Sequence, residues 1–97
     1  MKVLGPDVKV TDGALTQIVV RAAEGVAGVR VRRPRRKAAI EVEGTRARVD
    51  LSLAIAYGKV LPDVARDVQR EVADALERMC GLAVDVIDVS VEELDAP

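Results

Sequence analysis

The chain has 97 residues, 49% of them apolar, with 15 basic against 16 acidic side chains and a formal net charge of −1. That length is one domain's worth of sequence, with room for a single core. The near-balance of charge excludes any inference of nucleic-acid or membrane binding from net charge, so only its distribution can inform.

Residues 1–7 read as a loose lead-in broken by Gly5 and Pro6. A single domain is expected over 8–94, with a short tail over 95–97. Val8 and Val10 suggest a short edge strand. Thr11 is a plausible N-cap for a first helix, with Asp12 in its first turn, where the helix dipole favours negative charge. Leu15, Ile18, Val19, Ala22 and Val26 fall on one face of that helix. Gly25 or Gly28 ends it. Val29 and Val31 then alternate with Arg30 and Arg32 as a short strand.

A hairpin follows. Ala38, Ile40 and Val42 alternate with Ala39, Glu41 and Glu43, and Gly44-Thr45 suits a two-residue turn. That register sets Glu43 opposite Arg46, Glu41 opposite Arg48 and Ile40 opposite Val49, so opposite charges pair on one face and apolar groups on the other. The second hairpin strand runs long: Val49, Leu51, Leu53, Ile55 and Tyr57 alternate with smaller or polar residues until Gly58.

Pro62 sits where a helix tolerates proline, in the first turn. Leu61, Val64, Ala65, Val68, Val72, Ala75, Leu76 and Met79 form the stripe of this second helix. Its other face is charged, with Arg70–Asp74 and Asp74–Arg78 at i,i+4 spacing. Gly81 caps it. The last strand changes phase: Val84 and Val86 share one face, Ile87, Val89 and Val91 the other. A bulge near Val86-Ile87 would bury both sets; otherwise the strand is covered on both faces. The order β-α-β-β-β-α-β predicts an α+β two-layer sandwich, two helices packed on one face of a small, partly antiparallel sheet.

Eighteen valines and fourteen alanines accompany one tyrosine and neither phenylalanine nor tryptophan, so the core is built of small groups in close layers. Histidine and asparagine are absent and eleven of the fifteen basic residues are arginine, which suits a thermophile and a GC-rich genome alike. The lone Cys80 has no partner for an intramolecular disulfide, in keeping with a reducing cytoplasm. No signal peptide and no stretch of ~18 apolar residues is visible.

Catalytic groups are sparse, and no enzyme is expected. Without histidine the usual base near neutral pH is missing. Cys80, between Met79 and Gly81 at the end of an apolar stripe, reads as an inert buried thiol. No metal or cofactor site is expected; Asp85 and Asp88 read as solvated. Gly25-Val26-Ala27-Gly28 has the GxxG spacing of some RNA-binding loops, but it joins a helix to a strand, where a cap and a tight turn account for both glycines.

The strongest signal outside the core is the run from Arg30 to Lys37. Arg30, Arg32, Arg33, Arg35, Arg36 and Lys37 make six of eight residues basic, and Pro34 interrupts any strand. It reads either as a phosphate- or acid-binding loop or as a solvated tip protecting a sheet edge. No aromatic platform for single strands accompanies it. The opposite pole is Asp85, Asp88, Glu92, Glu93 and Asp95, with no basic residue from position 79 onward. Two such poles could attract head to tail, and heterologous contacts of that kind build rings or filaments.

Several of these residues together resemble the alkaline-shock-protein family, small bacterial proteins of the cell-envelope stress response. They are Thr11-Asp12, Gly28-Val29, the alternating strand Val49 to Gly58 ending in Tyr-Gly, Val68-Gln69 with Val72, Gly81-Leu82 with Val84, and Val89 with Val91. The likeness runs from Val8 onward. It departs at Cys80, where members often carry threonine, and in a short tail. The resemblance implies no catalytic residues. It implies a cytoplasmic, self-associating scaffold or adaptor in envelope homeostasis, recruited in some members to the inner face of the membrane by an anchor protein. Other members are linked to fatty-acid biosynthesis, which makes an enzyme of that pathway a second candidate partner. The alternative is a regulatory binding module that contacts nucleic acid or an acidic protein through the arginine-rich loop.

Overall fold

The structure, a computed structural model, describes residues 3–4, 8–9, 12–31 and 39–95. In chain order the elements are β1 (Val3–Leu4), β2 (Val8–Lys9), α1 (Asp12–Glu24), β3 (Val29–Val31), β4 (Ala39–Glu43), β5 (Arg46–Ala56), α2 (Leu61–Cys80) and β6 (Ala83–Asp95). The expected order is present from β2 onward. β1 falls within the stretch read as lead-in and pairs antiparallel with β2, away from the main sheet. The proposed Thr11 cap lies outside the described residues.

β5 organises the main sheet. A strand has two edges, and β6 runs parallel to β5 along all of one of them. The other edge is shared end to end: β4 pairs antiparallel with Arg46–Asp50, and β3 antiparallel with Leu53–Ile55. The sheet is therefore three strands wide. The β4–β5 register is the one the charge pattern predicts, with Glu43 opposite Arg46, Glu41 opposite Arg48 and Ile40 opposite Val49.

Alternation along β5 sends Ala47, Val49, Leu51, Leu53 and Ile55 to the helix side, all buried. There they meet Leu15, Val19 and Ala23 of α1 and Val64, Val68, Val72, Leu76 and Cys80 of α2. Each fully buried valine, leucine or isoleucine contributes roughly 1.5–3 kcal/mol, so this single cluster dominates the stability. The two-layer α+β architecture is as expected. Val60 precedes α2, Pro62 occupies its first turn, and Gly81 ends it at φ +67°, with its N–H donated to the Glu77 carbonyl and that of Leu82 to the Leu76 carbonyl. α1 ends at Glu24, whose carboxylate accepts the Val31 N–H at 2.9 Å and ties the helix end to β3.

Three expectations need correction. Tyr57 is not on the buried face: β5 ends at Ala56, and Tyr57 stands 68% exposed in the turn before Gly58. Met79 is not in the core stripe of α2 but 60% exposed, because Cys80 takes the inward position at the end of the helix. Arg70 pairs with Asp67 at 3.1 Å rather than with Asp74, while Arg78 holds Asp74 at 2.9 Å as expected.

The phase change in β6 is a bulge. Val84 pairs with Ala47 and Val86 with Arg48, so Asp85 is the extra residue. Ile87, Val89 and Val91 then return to the helix side, half-buried, and Val86 faces out. A second shift, between Leu53 and Ala54, leaves Glu92 as an extra residue.

Candidate interaction surface

The helices cover one face of the sheet, and the other face carries its charge. Arg46 and Arg48 of β5 lie between Glu43 and Glu41 of β4 on one side and β6 on the other. Further along, Asp50 is paired in register with Asp88, and both are exposed. Ala54 on this face is flanked by Arg30 and Glu93 and is fully buried.

The bulge aims Asp85 at Arg46. Arg46 donates from Nε to Asp85 Oδ2 at 2.9 Å and from Nη2 to Oδ1, a two-pronged pair. Those hydrogen bonds hold the Asp85 carboxyl below the usual carboxylate range, aided by the charges of Arg46 and Arg48, and they push the guanidinium of Arg46 up. Asp85 was grouped in sequence with an acidic pole free of basic neighbours. In the fold it has a basic partner thirty-nine residues away, so its charge is largely answered. Arg46 and Arg48 were absent from the sequence-derived site because nothing in the local pattern reveals that β6 lies beside β5.

The remaining candidates among the described residues fall on opposite edges of the sheet. Arg30 is exposed on β3. Arg32, Arg33, Arg35, Arg36 and Lys37 lie outside the described residues, but the residues that flank them, Val31 and Ala39, both belong to strands on the β3/β4 edge of β5. Asp88 and the backbone of Glu92 and Glu93 lie on β6, at the far edge. Gln69 of α2 donates from Nε2 to the Ile87 carbonyl at 2.9 Å, anchoring β6 to the helix layer.

Chemistry of other kinds finds little material. Burial pushes the Cys80 thiol up, away from the reactive thiolate. Among the described residues no group of three or more His, Cys, Asp and Glu side chains is placed to hold a metal ion. No helix among them is long and apolar enough to cross a membrane.

The sequence profile of the alkaline shock protein 23 family, described by its cell envelope-related function, matches residues 30–96. The residues that carry the resemblance start at Val8, so those of α1 and Gly28-Val29 precede the matched span. No curated protein matches the chain. Among solved structures, the C-terminal domain of MamM, residues 215–293, is similar at a TM-score of 0.66 and 22% identity, covering 86% of this chain and 99% of that one. A manganese form of a MamM variant gives 0.66 and 21% over 86% and 99%. A cadmium form of another gives 0.64 and 24% over 84% and 94%. At these identities the likeness is one of fold.

Proposed function

The chain belongs to the alkaline shock protein 23 family, whose function is cell envelope-related, and on that premise we propose that it is a self-associating, non-catalytic adaptor. What supports this reading is how β3, β4 and β6 pair about β5. The strands that flank the basic run lie on one edge of the sheet and the acidic strand β6 on the other. Two strand spacings separate them, about 10 Å. When one copy's basic run meets the next copy's β6, its own β6 stays open, which is the geometry of an extending, heterologous contact.

Cytoplasmic residence and recruitment to the inner face of the membrane by a partner belong to the same reading. So does the partner's class, an anchor protein or an enzyme of fatty-acid biosynthesis. The test is light scattering coupled to size exclusion across protein concentration, at low and high salt. Ionic head-to-tail association gives a mass that rises with concentration at low salt and falls when salt screens the charges. Asp88→Lys, on an exposed position, lowers that mass without unfolding the protein. A monomer under every condition would displace this reading in favour of a module that binds nucleic acid or an acidic protein through Arg30 to Lys37.

A further inference from the structure

β6 pairs with β5 on one side, and no strand among the described residues pairs with its other side. Such an edge presents a row of N–H and C=O groups that template another strand. Between the extra residues Asp85 and Glu92, Val86 to Val91 keep an unbroken register with Arg48 to Leu53. In a parallel ladder alternate residues turn both backbone groups toward the partner strand, and those between turn both away. The Ile87 carbonyl accepts from Gln69 Nε2 at 2.9 Å, out of the ladder, so Ile87, Val89 and Val91 form the outward set.

The same stretch carries unanswered negative charge. Asp88 lies in register with Asp50, both are exposed, and neither has an ion pair among the described residues. Like charges side by side are unfavourable, and a cation laid along β6 relieves them. The opposite edge has basic chain to spare. β3 and β4 follow one another along β5, with Val31 paired to Leu53 and Ala39 to Asp50. Leu51 and Ser52 alone separate those two pairs on β5, whereas seven residues, 32–38, join β3 to β4. That excess carries Arg32, Arg33, Arg35, Arg36 and Lys37. Both of its ends are tied to the far edge, about 10 Å from β6, so a basic strand along β6 comes from another copy.

We propose that β6 takes the arginine run of a second copy as an added antiparallel strand, with Arg33, Arg35 and Lys37 opposite Val91, Val89 and Ile87, and Arg36 opposite Asp88. The inference rests on the head-to-tail association proposed above and names its mode of contact. β3 and β4 run against β5, and β6 runs with it, so copies laid side by side in one direction set the run antiparallel to the next copy's β6. Pro34 fixes the phase. It has no N–H to give, so in a strand it turns its nitrogen away from the partner. Arg33, Arg35 and Lys37 then turn their backbone groups to the outward set of β6. The residues between them share a face with Asp88, because opposite residues of paired strands lie on one face. Setting Arg36 opposite Asp88 keeps Arg33 to Lys37 within the regular stretch that ends at Val91. The Ile87 carbonyl has two lone pairs, one for Gln69 and one for the Lys37 N–H.

Fluorescence anisotropy of a labelled peptide of residues 30–39, titrated with the full chain at low salt, reads this contact. The expected result is binding that Asp88→Lys in the chain weakens, with circular dichroism confirming that the variant is folded. Backbone N-methylation of the peptide tests the phase, because it removes one N–H and keeps every charge. Methylation at Arg35, which faces β6, lowers affinity roughly tenfold, the effect of one lost hydrogen bond. Methylation at Arg36, which faces away as Pro34 does, leaves affinity within about twofold. Equal affinity for the two methylated peptides, or a greater loss at Arg36, overturns strand addition and leaves the ionic head-to-tail reading standing. A peptide that does not bind, with a chain whose mass still rises with concentration at low salt, overturns the inference alone. A peptide that does not bind and a chain that stays monomeric remove both.

Discussion

Deleting one residue from the middle of a strand normally turns every following side chain to the wrong face. In β6 the outcome depends on which residue is removed. Asp85 is the extra residue of a bulge, so its loss leaves Val84, Val86 and Ile87 in simple alternation, still opposite Ala47, Arg48 and Val49. The register beyond is unchanged, and only the pair with Arg46 is lost. Deleting Asp88 instead shifts the strand by one until the bulge at Glu92. Val89 and Val91 turn outward, and Ser90 and Glu92 turn toward the core. The two valines are half-buried, so their burial contributes about 1 kcal/mol each. Facing a polar hydroxyl and a carboxylate inward adds the cost of desolvating them, roughly 1–3 kcal/mol for the hydroxyl alone. Urea denaturation followed by circular dichroism measures the difference. The Asp85 deletion keeps a midpoint near the parent's, and the Asp88 deletion loses at least about 2 kcal/mol. Equal damage from the two deletions, or a more damaging Asp85 deletion, refutes the bulge as the source of the phase change.

The ends of the α2 stripe separate in the same assay: Leu76→Ala, at a position with no exposure, costs about 2–5 kcal/mol, whereas Met79→Ser on exposed surface leaves stability within about 0.5 kcal/mol. Gly81→Ala forces a side chain into the left-handed cap at φ +67° and lowers stability by about 1 kcal/mol. Cys80, buried and with its thiol pushed up by burial, reacts with an alkylating reagent at neutral pH only through opening of the fold; mass spectrometry should show labelling that accelerates sharply in urea, and rapid labelling of the native protein would contradict its burial.

What was legible in the sequence was whatever a local period or a cross-strand charge pair could fix. The hairpin register follows from Glu41 and Glu43 meeting Arg48 and Arg46, and the α2 stripe from a period of 3.6. The misread residues sit at element ends. Tyr57 continues the alternation of β5 in sequence, but the strand has already turned at Ala56. Met79 and Cys80 are neighbours at the last turn, and hydrophobicity alone did not show which one faces in. The phase change in β6 was visible as a slip of the pattern that puts a bulge near Val86-Ile87, but which residue is the extra one was not. Placing the bulge at Asp85 needs the pairing with β5, and so does seeing that Arg46 and Asp85 form a site.

The most direct test of self-association through defined faces is hydrogen exchange read by mass spectrometry, comparing dilute with concentrated protein at low salt. Peptides from β3, from β4 and from β6 should exchange more slowly at high concentration, with those of the central strand β5 unchanged. Exchange that is identical at both concentrations in every peptide would contradict assembly through opposite edges of the sheet.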